Sequence, residues 1–357
     1  MKIIFSGGGT LGPVTPLLAI KDIIKEKYFD ADFLWVGTKT GPEKELIEKE
    51  GITFLTLSSG KFRRYISAWN IIDIGRIVVG FFQSISLLLK ESPDVCISAG
   101  GFISVPLHFA AWFLGIPTWI HQQDVRIGLA NRLMSPCAKK ITTSLDVLTK
   151  SFPKRKTQWI GNPVRRDVLE GDKAHAKKIF KLTSDAPVVF ATGGGTGSLR
   201  VNQLIVEAME HLKGYAQVIH LSGKERPQEL VSRAEKLYDY YQVHQFFTDE
   251  MKHAYAVADI VISRGGFGTL TEIAALGKPA IIIPKPGHQV ENVRFLEQAH
   301  AAVLVNERTS DGLYLGKQIR TLLQDEVLRK QLAHNLQKLL PRAEDAKILE
   351  IVEKLVG

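Results

Sequence analysis

Two glycine-rich loops of the sequence have the composition of anion-binding sites. The first, "GGGTLG" at residues 7–12, follows an apolar strand pattern at Lys2–Phe5. The second, "GGGTG" at residues 193–197, follows the apolar segment that begins at Pro187. A helical pattern follows each loop, so glycine N–H groups and the positive end of a helix would face a phosphate. Glycines also serve tight strand-to-helix packing, but two loops in equivalent places favour anion binding.

The two loops differ from two common nucleotide-binding motifs, the P-loop and the dinucleotide-binding loop. Neither is followed by a Lys-Ser/Thr pair at P-loop spacing. The acidic strand end that would hold an NAD ribose is also missing, because Asp32 is predicted to start a strand, and a dinucleotide oxidoreductase is therefore disfavoured. The first loop cannot transfer a proton, since no ionisable side chain lies between Phe5 and Pro16.

A third glycine-rich segment, "SRGGFGTLTE", ends at Glu272. It predicts a strand, a loop and a helix over Leu270–Leu276, with Glu272 in the first turn. The N–H groups of Gly268 and Thr269 would then point at a diphosphate. The Glu272 carboxylate could accept hydrogen bonds from two ribose hydroxyls, or it could only complement the helix dipole.

Composition indicates a globular protein large enough for two domains. The chain has 357 residues, of which 45% are hydrophobic and 23% charged. Its two cysteines favour a reducing compartment, and the strand pattern at Lys2 leaves no expectation of a secretory signal. The net charge of +9 suits anionic lipid or acidic ligands. No nucleic-acid motif accompanies that charge, so no nucleic-acid partner is predicted.

Alternating strand and helix patterns predict an α/β fold with parallel, doubly wound sheets. The pattern restarts at the second glycine loop, so we predict two Rossmann-like domains, 1–161 and 162–340, facing each other across a cleft. A C-terminal helix within 341–357 is expected to pack on the first domain. The predicted strands are Lys2–Phe5, Asp32–Val36, Phe54–Leu57, Val95–Ser98, Thr118–His121, Lys140–Thr143, Val218–Leu221, His244–Phe247, Ile260–Ser263, Ala280–Pro284 and Ala302–Val305. The predicted helices include Val14–Lys27, Glu43–Glu50 and Ala343–Val356.

One uncharged segment, Gly101–Ile120, has the length of a membrane span. Pro106, Gly115 and Pro117 interrupt it, because proline and glycine break helices. We therefore predict a short helix followed by a strand rather than a span.

Several motifs, in order and spacing, resemble the MurG-type transferases, which are bacterial GT-B glycosyltransferases. They are "GGGTLGPVTP", "SAGGFISVP", "AAWFLGIPTWIHQQD", "GLANRLM", "GNPVR", "GGGTGSLRVNQ", "YAVADIVISRGGFGTLTEIAALGKPAIIIPKPG" and "HQVENVRFLEQAHAAVLV". The resemblance implies inverting transfer of N-acetylglucosamine from UDP-N-acetylglucosamine to the 4-hydroxyl of a muramyl sugar on a polyprenyl diphosphate, as in peptidoglycan synthesis. Two alternatives stay open: a different lipid acceptor such as diacylglycerol, or a weakly active scaffold that binds nucleotide sugars.

The resemblance also implies donor-binding roles at matching positions. Thr10, Leu11 and Gly12 would lie near the diphosphate and acceptor, and Arg165 near the donor phosphates. Gly195 stands where the family has a serine, so only a backbone contact would survive. The remaining matching positions are Thr248 at the uracil, Phe267, Gly268, Thr269, Leu270, Thr271 and Glu272 around the nucleotide, and Asp124 and Gln289 at the sugar.

The chain departs from the family pattern at positions that could take part in proton transfer. Pro13 replaces a histidine that is a candidate general base or phosphate contact. The family motif "HEQN" reads "HQQD" here, so Gln122 replaces a glutamate and Asp124 an asparagine. Asp124 is the first candidate for the base and His108 the second, although a packed or surface role for His108 is favoured. No metal site, cofactor or serine or cysteine nucleophile is predicted.

The composition of the segment Gly60–Lys90 suggests contact with a membrane surface. Lys61, Arg63 and Arg64 precede Trp69, Ile71 and Ile72, and basic residues beside apolar ones suit an anionic bilayer. We predict peripheral attachment through 61–72 at the cytoplasmic face of the cell membrane. Most of the apolar residues of Ile74–Leu89 are expected to face the domain core.

Overall fold

The computed structural model describes residues 1–60, 69–182, 185–247 and 249–357. The chain forms two compact units: unit 1 is Met1–Arg165 with Arg342–Gly357, and unit 2 is Arg166–Pro341. The strands are β1 Lys2–Ser6, β2 Asp32–Gly37, β3 Thr53–Thr56, β4 Val95–Ser98, β5 Thr118–Gln122, β6 Lys140–Thr143, β7 Thr157–Trp159, β8 Val188–Thr192, β9 Gln217–Leu221, β10 Tyr241–His244, β11 Ile260–Ser263, β12 Ala280–Ile282 and β13 Val303–Leu304. The α-helices are α1 Val14–Lys27, α2 Glu43–Lys49, α3 Trp69–Glu91, α4 Ser104–Phe113, α5 Leu129–Met134, α6 Arg166–Leu169, α7 Lys173–Ile179, α8 Leu199–Ala208, α9 Glu229–Leu237, α10 Glu250–Val257, α11 Phe267–Ala275, α12 His288–Gln298, α13 Gly312–Gln324, α14 Glu326–Leu339 and α15 Asp345–Val356.

Each unit contains a parallel sheet whose strand order reverses once. The order is β3-β2-β1-β4-β5-β6-β7 in unit 1 and β10-β9-β8-β11-β12-β13 in unit 2. The reversals fall between β1 and β4 and between β8 and β11. In doubly wound sheets, ligands bind at the carboxyl ends of the strands at such a switch point. The glycine loops follow β1 and β8, so each lies at a switch point, and the predicted doubly wound sheets are confirmed.

Alternating burial explains why the strands are apolar throughout. In β1, Ile3 and Phe5 pack in one core with Leu17 of α1, whereas Ile4 packs in the core that includes Leu107 of α4. Successive side chains of a strand point to opposite faces, so both faces need apolar residues when helices cover both. The C-terminal helix α15 packs on α1 and adds Ile348, Ile351 and Val352 to the first of these cores.

The predicted strand at His244–Phe247 was wrong by three residues. The strand is β10, which starts at the buried Tyr241 and pairs with Val218 of β9. Phe247 lies beyond its end and contacts Phe180 instead, with ring centroids 5.6 Å apart. Strand β7 was also missed, because it has only three residues and ends two residues before Gly161, where glycine and then Pro163 break regular structure.

The uncharged segment after Gly101 forms helix α4 and strand β5, as predicted. Among the helices that the structure describes, none combines the length and the apolar character needed to span a membrane.

Helix α3 is only partly packed, so the expectation that most of the apolar residues of Ile74–Leu89 face the core was wrong in part. Gly80, Ser84 and Leu88 are buried. Val78, Val79 and Phe82 are exposed, as are Trp112 and Phe113 of α4. The predicted lipid contact at 61–72 lies outside the described residues, apart from the backbone of 69–72 at the start of α3.

Candidate active site

The N-terminus of α11 in unit 2 is open. Gly266 is its N-cap and supplies no capping side chain, and the first hydrogen bond of the helix runs from Leu270 N to Gly266 O at 3.0 Å. The N–H groups of Phe267, Gly268 and Thr269 therefore have no acceptor within the helix. Such a helix end at the switch point of a parallel sheet suits a diphosphate.

Helix α11 begins three residues earlier than predicted, so Glu272 lies in its second turn. The Glu272 side chain is half-buried, and its Oε2 accepts a hydrogen bond from Tyr255 Oη at 3.1 Å. The side chains of Phe267, Leu270 and Thr271 are buried. These side chains are therefore not available to a nucleotide. Of the three N–H groups, only that of Phe267 is open, because Leu270 N donates to Gly266 O and Thr271 lies further along the helix.

Gln289 lies beside the same helix end. Its Oε1 accepts a hydrogen bond from Lys285 N at 2.9 Å, and a Cβ added to Gly266 would lie 3.9 Å from its Nε2. Asn292, one turn further along α12, donates from Nδ2 to Gly265 O at 3.2 Å. The structure thus brings the predicted sugar-binding residue to the predicted phosphate-binding helix end.

Arg264 connects this region to the second glycine loop, a role that sequence reasoning missed. Its Nη2 donates to the Oγ of Ser198, the N-cap of α8, and its Nη1 donates to Ile283 O at 3.0 Å. The same guanidinium forms an ion pair with Glu307. Arg264 is 9% exposed, so the pair is a fixed part of the switch point in unit 2.

Gly195 is exposed in the glycine loop.

In unit 1, the first glycine loop ends in a turn that leads into α1. Val14 N donates to Leu11 O at 3.1 Å, and Pro13 is the N-cap. Thr10 and Gly12 are exposed. This region contains no acid or base of its own, as the sequence predicted.

The segment after β5 lies against this loop. Gln123 Nε2 donates to Gly12 O at 2.7 Å, and Gln122 Nε2 donates to Asp124 O at 2.7 Å. Asp124 itself is half-buried. A carboxylate at position 122 could not donate to Asp124 O, so Gln122 fits the turn that presents Asp124. The arrangement places Asp124 one residue from a direct contact with the loop that contains Pro13.

His121 is structural. Trp119 Nε1 donates to Thr142 Oγ1 at 2.8 Å, so this hydroxyl is free to donate to His121 Nδ1 at 2.9 Å. His121 Nε2 then donates to Asn162 Oδ1 at 2.8 Å. Complete burial lowers the pKa of His121 to about 4. The neutral ring therefore fixes the "GNPVR" segment and has no role as a base.

His108 lies on α4 with no exposed surface, and neither ring nitrogen has a hydrogen-bond partner among the described residues. Burial lowers its pKa from 6.5 to about 3. A ring with no accessible atom cannot reach a substrate hydroxyl. The structure therefore argues against His108 as the base and favours a packed histidine.

Replacing His108 with leucine should stabilise unit 1 in acid. The unfolded chain takes up a proton on this residue below pH 6.5, whereas the folded chain does so only near pH 3, so stability is lost as pH falls through this window. At pH 5 the penalty amounts to about 2 kcal/mol, which the variant should recover. All five tryptophans lie in unit 1, so tryptophan fluorescence during denaturant unfolding measures it. Equal pH dependence in both proteins would contradict this.

The predicted contacts of two further residues, Arg165 and Thr248, stay predictions. Arg165 is the last residue of the first segment of unit 1 and is half-buried. Thr248, predicted to contact the uracil, lies outside the described residues.

Comparison with known proteins agrees with the division into two α/β units. Residues 3–143 match the glycosyltransferase family 28 N-terminal domain, and residues 188–347 match the glycosyltransferase family 28 C-terminal domain. The crystal structure of Acinetobacter baumannii MurG superimposes with a TM-score of 0.75 at 23% identity, over 99% of each chain. The fold and the two domain matches thus define a GT-B glycosyltransferase, and the chain belongs to glycosyltransferase family 28.

Two curated relatives carry the same name, UDP-N-acetylglucosamine–N-acetylmuramyl-(pentapeptide) pyrophosphoryl-undecaprenol N-acetylglucosamine transferase. The one from Shouchella clausii is 38% identical over 86% of this chain and 86% of its own length. The one from Legionella pneumophila is 36% identical over 100% of this chain and 95% of its own length. The resemblance to MurG-type transferases that the motifs indicated is confirmed.

Proposed function

We propose that the protein transfers N-acetylglucosamine from UDP-N-acetylglucosamine to the 4-hydroxyl of a muramyl sugar carried on a polyprenyl diphosphate. The observation that carries this proposal is the convergence in unit 2 of the open α11 N-terminus, Glu272 and Gln289. These groups supply donors for a diphosphate, an acceptor for ribose hydroxyls and an amide for sugar hydroxyls. The names of the curated relatives support the particular donor and acceptor.

In the proposed reaction, the acceptor 4-hydroxyl attacks the anomeric carbon of the donor sugar. The bond from that carbon to the UDP oxygen breaks, the configuration inverts, and UDP leaves with the bonding electron pair. The N–H groups at the start of α11 stabilise the charge that develops on the leaving diphosphate. Asp124 accepts the proton of the attacking hydroxyl, since Pro13 cannot.

A donor panel tests the donor half of this proposal. UDP release is measured with UDP-N-acetylglucosamine, UDP-glucose and UDP-galactose, each with and without a polyprenyl-diphosphate-linked muramyl peptide. Acceptor-dependent release with UDP-N-acetylglucosamine at the highest kcat/KM is expected. Acceptor-dependent release that prefers UDP-glucose would contradict the proposed donor.

Membrane attachment is proposed to be peripheral, at the face that carries the lipid-linked acceptor. Phe82 of α3 is 64% exposed, and Trp112 and Phe113 of α4 are 59% and 68% exposed. The rings of Phe81 and Phe113 lie 6.3 Å apart and join the two helices into one apolar surface. Exposed aromatic side chains together with net positive charge suit an anionic bilayer surface.

Flotation with liposomes should show salt-sensitive binding to vesicles that contain anionic lipid. The double variant Phe82→Ser/Phe113→Ser should bind at least about tenfold more weakly, since each exposed ring that enters the bilayer contributes burial energy. Phe29→Ser is the matched control, because Phe29 is 81% exposed in the loop after α1. Equal binding to neutral vesicles, or full binding by the double variant, would remove this surface from the proposal.

A further inference from the structure

Glu43 is a buried carboxylate to which the proposed reaction assigns no role. It is the first residue of α2 and has no exposed surface, although glutamate is almost never fully buried without partners. Its Oε1 accepts hydrogen bonds from Thr38 N at 2.8 Å and from Thr38 Oγ1. Its Oε2 accepts a hydrogen bond from Gly9 N at 3.2 Å. Glu43 therefore contacts the first glycine loop directly.

The backbone around Glu43 is closed tightly on its carboxylate. A Cβ added to Gly8 or to Gly41 would overlap a carboxylate oxygen. Gly8 on the first loop and Gly41 before α2 therefore leave the space that the buried side chain fills.

The other side of the first loop packs against the segment after β4. A Cβ on Gly101 would lie 3.1 Å from Gly8 N, and a Cβ on Gly9 would lie 3.0 Å from the ring of Phe102. Spaces too small for a single added carbon leave little room for the loop to move. The loop is thus held between Glu43 on one side and Gly101 and Phe102 on the other.

We propose that Glu43 is a positioning residue that orders the first glycine loop from the protein interior. Its carboxylate accepts the hydrogen bond of the Gly9 N–H group, which a phosphate at this loop would otherwise accept. The Gly9 N–H group therefore has a structural role. Its hydrogen bond to Glu43 holds the exposed turn at 10–12, which faces the substrate, in a single conformation. This inference rests on the proposed transfer reaction and adds the residue that fixes its acceptor-side loop.

Glu43→Gln tests the proposal. The amide keeps the volume but has one oxygen for three donors. If that oxygen stays with the two Thr38 donors, the amide NH₂ meets the Gly9 N–H and displaces the loop. Turnover should fall about 10- to 100-fold, the usual cost of a misplaced active-site element. UDP affinity should fall much less than turnover, because the α11 N-terminus, Glu272 and Gln289, which carry the proposed donor site, belong to unit 2.

Hydrogen exchange of the loop provides a readout that does not depend on activity. The Gly9 amide should exchange at least about tenfold faster in Glu43→Gln, because its acceptor is lost. The Gly7 amide, which donates to Val36 O at 3.2 Å, is the internal reference. Glu48→Gln is the matched control, because Glu48 lies on the same helix with 54% of its side chain exposed.

Unchanged Gly9 exchange in a folded Glu43→Gln protein would overturn the proposal, whatever the turnover. Faster exchange with wild-type turnover would also overturn it, since the loop would then not need this order. If Glu43→Gln does not fold, Thr38→Val removes one of the three hydrogen bonds and should give a loss of about three- to tenfold with the same exchange pattern. Wild-type protein that transfers no sugar would refute the proposed function, and exchange alone would then decide whether Glu43 orders the loop.

Discussion

Asp124→Asn is expected to lower kcat by about 10²- to 10⁴-fold, the usual contribution of a general base. The asparagine keeps the volume and the hydrogen-bonding capacity but cannot accept the proton of the attacking hydroxyl. The acidic limb of the pH–rate profile should disappear together with the rate. The measurement is turnover against pH, with donor and acceptor both saturating.

The result separates two roles of Asp124. If Asp124 only contacts the sugar, the rate should change little and donor affinity should shift instead, because an amide still forms hydrogen bonds. Asp30→Asn, at an exposed acid in unit 1, controls for the loss of a negative charge. Adding Pro13→His to Asp124→Asn should restore part of the rate, since Gln123 bonds to Gly12, next to position 13. An unchanged rate and pH profile in Asp124→Asn would exclude Asp124 as the base.

Glu272→Ala is expected to weaken UDP binding by about 1.5–3 kcal/mol, because a charged hydrogen-bond acceptor for the ribose is lost. This corresponds to an increase in the dissociation constant of about 10- to 150-fold. Titration calorimetry with UDP measures it directly. Unchanged affinity would show that Glu272 does not bind the ribose.

Tyr255→Phe is the companion variant. It removes the hydroxyl that donates to Glu272 Oε2 at 3.1 Å but keeps the Glu272 carboxylate. A smaller loss, about 0.5–1.5 kcal/mol, is expected when only the orienting hydrogen bond is removed. If Tyr255→Phe weakened UDP binding as much as Glu272→Ala, the effect would reflect disturbed packing of α10 and α11 rather than the ribose contact.

The sequence was sufficient for the strands at the centre of each sheet and for the glycine loops. Strands β4 and β11 have the predicted bounds, because both are apolar runs bounded by turn residues, as expected where both faces of a sheet are covered. Helix α1 also has its predicted bounds. The switch points follow from the strand order, which the structure supplies and the local sequence patterns did not predict.

Other features depended on tertiary contacts that local patterns do not reveal. Gly268 suggested a loop, but burial of Phe267, Leu270 and Thr271 on one face of α11 outweighs the helix cost of a glycine, which is about 1 kcal/mol. The correction moves Glu272 from the first turn of the helix to the second. Local propensity therefore located the helix but not its first residue.

The buried charged residues were missed for a related reason. Glu43 and Arg264 were taken for a helix residue and a loop residue, because their partners lie far away in the sequence. Glu43 contacts Gly9, 34 residues earlier, and Arg264 contacts Ser198, 66 residues earlier. Only the three-dimensional arrangement of the switch points brings such residues together.

The most direct test of the proposed reaction is mass spectrometry of the lipid product. Purified protein is incubated with UDP-N-acetylglucosamine and a polyprenyl-diphosphate-linked muramyl peptide, and the acceptor lipid is extracted and analysed. The acceptor should gain the mass of one N-acetylhexosamine residue, with one UDP released for each product formed. An acceptor of unchanged mass, or a sugar transferred only when diacylglycerol replaces the muramyl lipid, would contradict the proposed reaction.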